Sequence, residues 1–162
     1  MTQTQRPNGR ADFECEIGRW QAQHRHLKRV PQGPINWEEF TDVSVARKLL
    51  RGLGLLDEIS NERAKGSFQG LTLLLFEPQS QQRSVYLANS MQGALAASMI
   101  GEFPNGRGVS YSHAPIDGMH RFMRFLWHEI TPSPCLWEQA YSADGGATWA
   151  TSWIQGHARL PQ

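Results

Sequence analysis

The sequence predicts an all-β protein, a closed antiparallel up-and-down β-barrel of about ten strands with a short helical turn near its N-terminus. Three observations lead there. Apolar and polar residues alternate with a period of two in run after run, and no segment sustains a 3.6-residue period. Turn chemistry separates the runs, drawn from 15 Gly and 9 Pro in 162 residues. A sheet of many short strands with one apolar face loses its exposed edges by closing on itself. A two-sheet sandwich is the competing architecture.

Taken in order, the alternation places strands near 19–29, 35–46, 52–60, 67–77, 82–90, 97–103, 107–112, 119–130, 134–142 and 148–158. Pro31-Gln32-Gly33-Pro34 closes the first pair, and Glu77 to Gln81 separates the fourth and fifth runs. Asn105-Gly106 and Asp117-Gly118 are tight-turn dipeptides. The best helix candidates are Asp12–Ile17, Asp42–Leu50 and, more weakly patterned, Ala94–Ile100. Residues 1–12 are polar and read as a flexible lead-in, and 13–162 as one barrel domain.

Composition narrows the function. The formal charge of +1 lacks the basic excess of a duplex binder, so no nucleic-acid partner is expected. No run approaches a membrane span and the N-terminus has no secretory apolar stretch, which predicts a cytoplasmic protein without a membrane partner. Cys15 and Cys135 are too few for a disulfide framework and read as free thiols. Nucleophile elbows, phosphate loops and dinucleotide fingerprints are absent. No catalytic residue, metal or cofactor is assigned on this evidence.

Gly18-Arg19-Trp20 stands at the entry to the first strand, and the chain ends on Trp153 to Arg159. This resembles the Gly-x-Trp signature of lipocalins and other calycins. The resemblance implies that Trp20 plugs one end of the barrel and that Arg159 stacks on it. From Phe13 onward the chain also resembles a group of small bacterial proteins assigned to calycin-like domains of unknown function. The carrying pieces are Trp37-Glu38-Glu39-Phe40, Gly70 to Pro78, Phe125 to Pro132 and Trp137 to Trp149. That likeness implies a closed barrel and little else. It departs at Val85-Tyr86-Leu87-Ala88, where a Trp is expected in place of Leu87.

Ser142-Ala143-Asp144-Gly145-Gly146-Ala147-Thr148-Trp149 fits an Asp-box, expected to be a capped turn because a propeller needs many copies. Alternation puts Trp20, Ala22, His24 and His26 on one face of the first strand, and Trp149, Thr151, Trp153, Gln155, His157 and Arg159 on one face of the last. Those strands meet on closure, so His24, His26 and His157 could converge on a metal, haem or substrate, or simply bond inside the barrel. On the eighth strand Met119, Arg121, Met123, Phe125 and Trp127 form the expected interior wall. Arg121 there either meets a carboxylate ligand or pairs with Glu138 or Glu39. Asp57-Glu58 could supply a carboxylate to the interior or end a solvated strand.

The expected lining is thus His24, His26, Arg121, Phe125, Trp127, Tyr141, Trp153 and His157, around a small apolar or amphipathic molecule. An enzyme or haem/metal protein using the histidines is the alternative. A barrel filled by its own side chains, serving as a structural or interaction module, is another. A homodimer stays open.

Overall fold

A computed structural model describes residues 14–28, 35–63, 66–103, 107–116, 118–128 and 136–161. Ten strands form the barrel: β1 Gly18–Lys28, β2 Asn36–Leu49, β3 Gly54–Arg63, β4 Gly66–Glu77 and β5 Gln82–Asn89, then β6 Met99–Glu102, β7 Gly108–Ile116, β8 Met119–His128, β9 Leu136–Ser142 and β10 Ala150–Arg159. Each pairs antiparallel with its neighbours in sequence, and β1 pairs with β10 to close the ring. Closure rules out the sandwich. Among the described residues no helix is long and apolar enough to cross a membrane.

The closing seam sets the geometry of everything inside. Trp20 lies opposite Arg159, Ala22 opposite His157, His24 opposite Gln155 and His26 opposite Trp153. Because side chains alternate, the even residues of β1 and the odd residues of this part of β10 share the interior. At the Trp20 end a 3-10 turn, Glu14–Glu16, runs beneath the barrel. The Trp20 indole donates to the Glu16 carbonyl at 2.7 Å, and the Arg159 guanidinium carbon lies 4.3 Å from the Trp20 ring centre. Above this end sits the apolar core, centred on Ala46, Leu55, Leu74, Val85, Met99, Phe125 and Trp127. Gly101 is required there, since a Cβ would fall 1.9 Å from the Val109 carbonyl oxygen on the paired strand.

Three expectations are corrected. Asp42–Leu50 is no helix: β2 runs to Leu49 and a 3-10 turn follows at Leu50–Gly52. Asp42, Ser44 and Ala46 alternate into the interior, and burial on that period outweighs the helix propensity of Ala46 to Leu50. Ala94–Ile100 is not helical either. Residues 94–98 are irregular and mostly exposed, and β6 turns Met99 inward while Ile100 faces out. Finally, Trp149 does not share the face of Trp153. The pairing register between β10 and β9 shifts between Thr151 and Trp153, a bulge that reverses the parity. Trp149 therefore packs outside, 5.9 Å from the Tyr111 ring and under the Arg124 guanidinium at 4.5 Å. Cys15 is partly buried and packs against the apolar core; Cys135, the lead-in and the turns at 31–34 and 105–106 lie outside the described residues.

The Asp-box is a single capped turn. Asp144 accepts from the Ser142 hydroxyl at 2.7 Å, from the Thr148 amide at 2.9 Å and from the Thr148 hydroxyl, while Ser142 Oγ accepts from the Gly146 amide. The Trp149 indole donates to the Gly146 carbonyl. The hydrogen bonds from Thr148, then that from Ser142, lower the Asp144 pKa from the usual 3.8 to about 2. A lowered carboxyl contributes stability that is present above its unfolded pKa and lost as pH falls through the folded one. Asp144→Ala is thus expected to be less stable than the wild type at neutral pH. The gap should narrow between about pH 4 and pH 2, as urea unfolding followed across pH would show.

Candidate binding site

The interior alternation leaves a narrow hollow of about 50 Å3. One wall is aromatic, from Phe125 and Trp127 on β8 and Trp137 on β9. These three come together because the register sets Trp127 opposite Trp137, and Phe125 one rung further along β8. Their rings pack edge to face, Phe125 to Trp137 at 4.8 Å and Phe125 to Trp127 at 6.0 Å. The facing wall is aliphatic, from Ile59, Leu74, Val85 and Leu87. Leu87 stands where a Trp was expected, and it borders the open space.

The polar end of the hollow is formed by Asp57, Gln155, His157 and Glu16. Asp57, Glu16 and His157 also line a second, smaller hollow of about 10 Å3 with Cys15, Trp20 and Ser44, so the two spaces neighbour each other along these three residues. Asp57 is 9% exposed, and Ser44 Oγ donates to its Oδ1 at 2.6 Å. Gln155 and His157 share a hydrogen bond of 2.8 Å along β10. Burial pushes the Asp57 pKa up, against the smaller lowering effects of the Ser44 hydrogen bond and of His157.

A raised carboxyl has the opposite linkage from Asp144. Its contribution to stability is fully present below the unfolded pKa and is lost as pH rises through the folded one. Above its folded pKa the charged Asp57 therefore weakens the fold. Asp57→Asn keeps the acceptor for Ser44 and removes the charge, so the variant is expected to melt at a higher temperature than the wild type at pH 7. Thermal unfolding checks it: the gain should shrink as the pH falls toward about 4 and be absent below it.

A second polar group lies nearer the other end. His24 is 2% exposed and stacks on Phe40 at 4.6 Å. The Trp153 indole donates to its Nδ1 at 3.1 Å, which leaves the proton of the neutral ring on Nε2, 3.2 Å from Asp42 Oδ2. That approach is off the line of a good hydrogen bond, and the contact is chiefly electrostatic. Asn61 donates to the other Asp42 oxygen.

The structure thus distributes the expected site residues over two places. Phe125, Trp127 and His157 line the hollow. His24 and His26 both point inward, but each meets Trp153, at 5.8 and 4.8 Å between rings, while His157 stands beside Trp20 at 6.2 Å. The three imidazoles do not converge, because the Trp153 indole packs against both His24 and His26. Among the described residues no group of three or more metal-donor side chains forms. Tyr141 accepts from Gln139, which also donates to Ser152, and neither lines the hollow.

Arg121 faces inward, two rungs beyond Phe125 and outside the lining, with its Nε buried and unbonded. Its expected partners are taken. Glu138 pairs with His128 at 2.9 Å and Glu39 with Arg25 at 3.2 Å, both on the outer face that the parity of Arg121 cannot reach. The lining residues that sequence reasoning missed are Trp137, Gln155, Glu16 and the aliphatic wall. Asp57 was recognised only as one of two adjacent carboxylates.

Fold and hollow together define a lipocalin-like closed barrel of ten strands. No family model matches the chain, and no curated protein matches it. Among solved structures it is similar to the S-type phycobiliprotein lyase CPES from Guillardia theta, with a TM-score of 0.61 and 13% identity over 99% of each chain. That likeness establishes the fold over the whole length.

Proposed function

We propose that the protein holds a small apolar or amphipathic molecule inside its barrel, between the Phe125–Trp127–Trp137 wall and the aliphatic wall facing it. The observation that carries this reading is the hollow itself. It offers flat aromatic and aliphatic surface with a few polar groups at one end, the usual make-up of a small-molecule site. Its narrowness favours a small or flat occupant. The name of the structural neighbour ties the same barrel to phycobiliproteins, so their chromophores belong among the molecules to be tried.

Mass spectrometry of solvent extracts from the purified protein tests the proposal, together with calorimetric titration of small aromatic compounds, haem and phycobiliprotein chromophores. A defined small molecule should be extracted, or one class of compound should bind with a stoichiometry near one. Leu87→Trp, which fills the space beside Trp137, should weaken that binding by about tenfold or more. Empty extracts and no heat from any compound would sink the reading.

A further inference from the structure

We infer that the occupant carries a nitrogen that donates hydrogen bonds, a small amine or an N–H heterocycle, docked on the Asp57 carboxyl, and that carboxylate ligands are disfavoured. The inference rests on the hollow being a binding site and names the chemistry it selects. Asp57 has one hydrogen-bond donor among the described residues, Ser44 on Oδ1. Its other oxygen has no donor among the described residues, and the residue lines both hollows. A carboxylate oxygen with an unused lone pair beside an apolar wall is an acceptor that a donor on the ligand can engage.

The surrounding charges point the same way. Among the described residues, neither hollow is lined by Arg or Lys, and both are lined by Glu16 as well as Asp57. The interior arginines are engaged elsewhere: Arg83 between the Phe76 and Phe103 rings, Arg159 on Trp20, and Arg121 outside the lining. An anionic ligand would meet like charge with no counter-ion in a medium that screens poorly. A cationic or N–H group would find an acceptor already held in place by Ser44. The apolar walls then take a flat body attached to that nitrogen.

Titration calorimetry with three compounds of one shape, benzylamine, benzyl alcohol and benzoate, tests this on the intact protein. At pH 7 benzylamine should bind at least about tenfold more tightly than benzoate. Asp57→Asn should bring the two within about threefold. A pH series on the wild type gives a second reading that needs no variant. The groups acting on Asp57 are Ser44 from β2, His24 from β1, His157 from β10 and Glu58 on its own strand, with Glu16 beside it in the lining. The amine preference should fade on acidification as Asp57 takes up its proton, and benzyl alcohol should bind throughout.

Benzoate binding as tightly as benzylamine would overturn the inference while leaving the barrel a binding protein. An amine preference that survives in Asp57→Asn with its pH dependence intact would assign the selection to His157 or Glu16 and also overturn it. If none of the three compounds binds and extracts are empty, the binding proposal fails, and the ligand class fails with it.

Discussion

Phe125→Ala is expected to lose about 3–5 kcal/mol of folding stability, because it removes a ring that is 1% exposed and leaves a cavity its neighbours cannot close. Phe125 lies at the junction of the core and the hollow. Its ring packs edge to face on both Trp127 and Trp137, and it stands between Ser110 on β7 and Gln139 on β9. Its cross-strand neighbours are both polar, so neither supplies apolar surface to fill the gap. Urea unfolding should show the midpoint fall by roughly 1–3 M with little change in slope. The variant should also admit a bulkier occupant than the wild type does, since the new space is continuous with the hollow. A loss below about 1 kcal/mol would mean that the aromatic wall collapses inward, and the hollow would then be the flexible part of the interior.

How far these residues were legible from the sequence follows from which contacts are local. Phe125 and Trp127 stood out because alternation along one strand settles which residues share a face, and β8 keeps its period through both. The same argument put Trp20, His24 and His26 together correctly. It failed at Trp149, where one extra residue in the bulge reverses parity and leaves no compositional trace. It also could not choose between Asp57 and Glu58. Only the pairing of Asp57 with Thr72 and its alignment with Ala46 decide that Asp57 faces the barrel interior.

Trp137 was invisible as a lining residue for a related reason: its place beside Phe125 is set by register, which periodicity does not supply. Asp42 shows the remaining limit. The run from Asp42 to Leu50 is rich in helix formers, and only closure of the barrel, which buries Asp42, Ser44 and Ala46 on one side, makes it a strand. Its partnership with His24 depends on the pairing of β1 with β2, and the third member, Trp153, is 129 residues away from His24.

That partnership supports the second large effect. Asp42→Ala is expected to destabilise the protein by about 1–3 kcal/mol, because it leaves the buried Nε2–H of His24 facing no acceptor. Asp42 is 4% exposed and His24 2%, so no water replaces the lost carboxylate. Trp153 already occupies Nδ1 of His24, which fixes the ring with its other nitrogen toward the gap. The amide of Asn61 loses its acceptor in the same step. Asp42→Asn should cost less, because one oxygen remains to accept. The distinguishing measurement is a double-mutant cycle. His24→Phe keeps the ring stacked on Phe40 and removes the nitrogen that faces Asp42. If the two residues act as a pair, Asp42→Ala in the His24→Phe background should cost at least about 1 kcal/mol less than it does alone. Additive losses would show instead that Asp42 acts through Asn61 and that His24 is held by Trp153 and Phe40 without it.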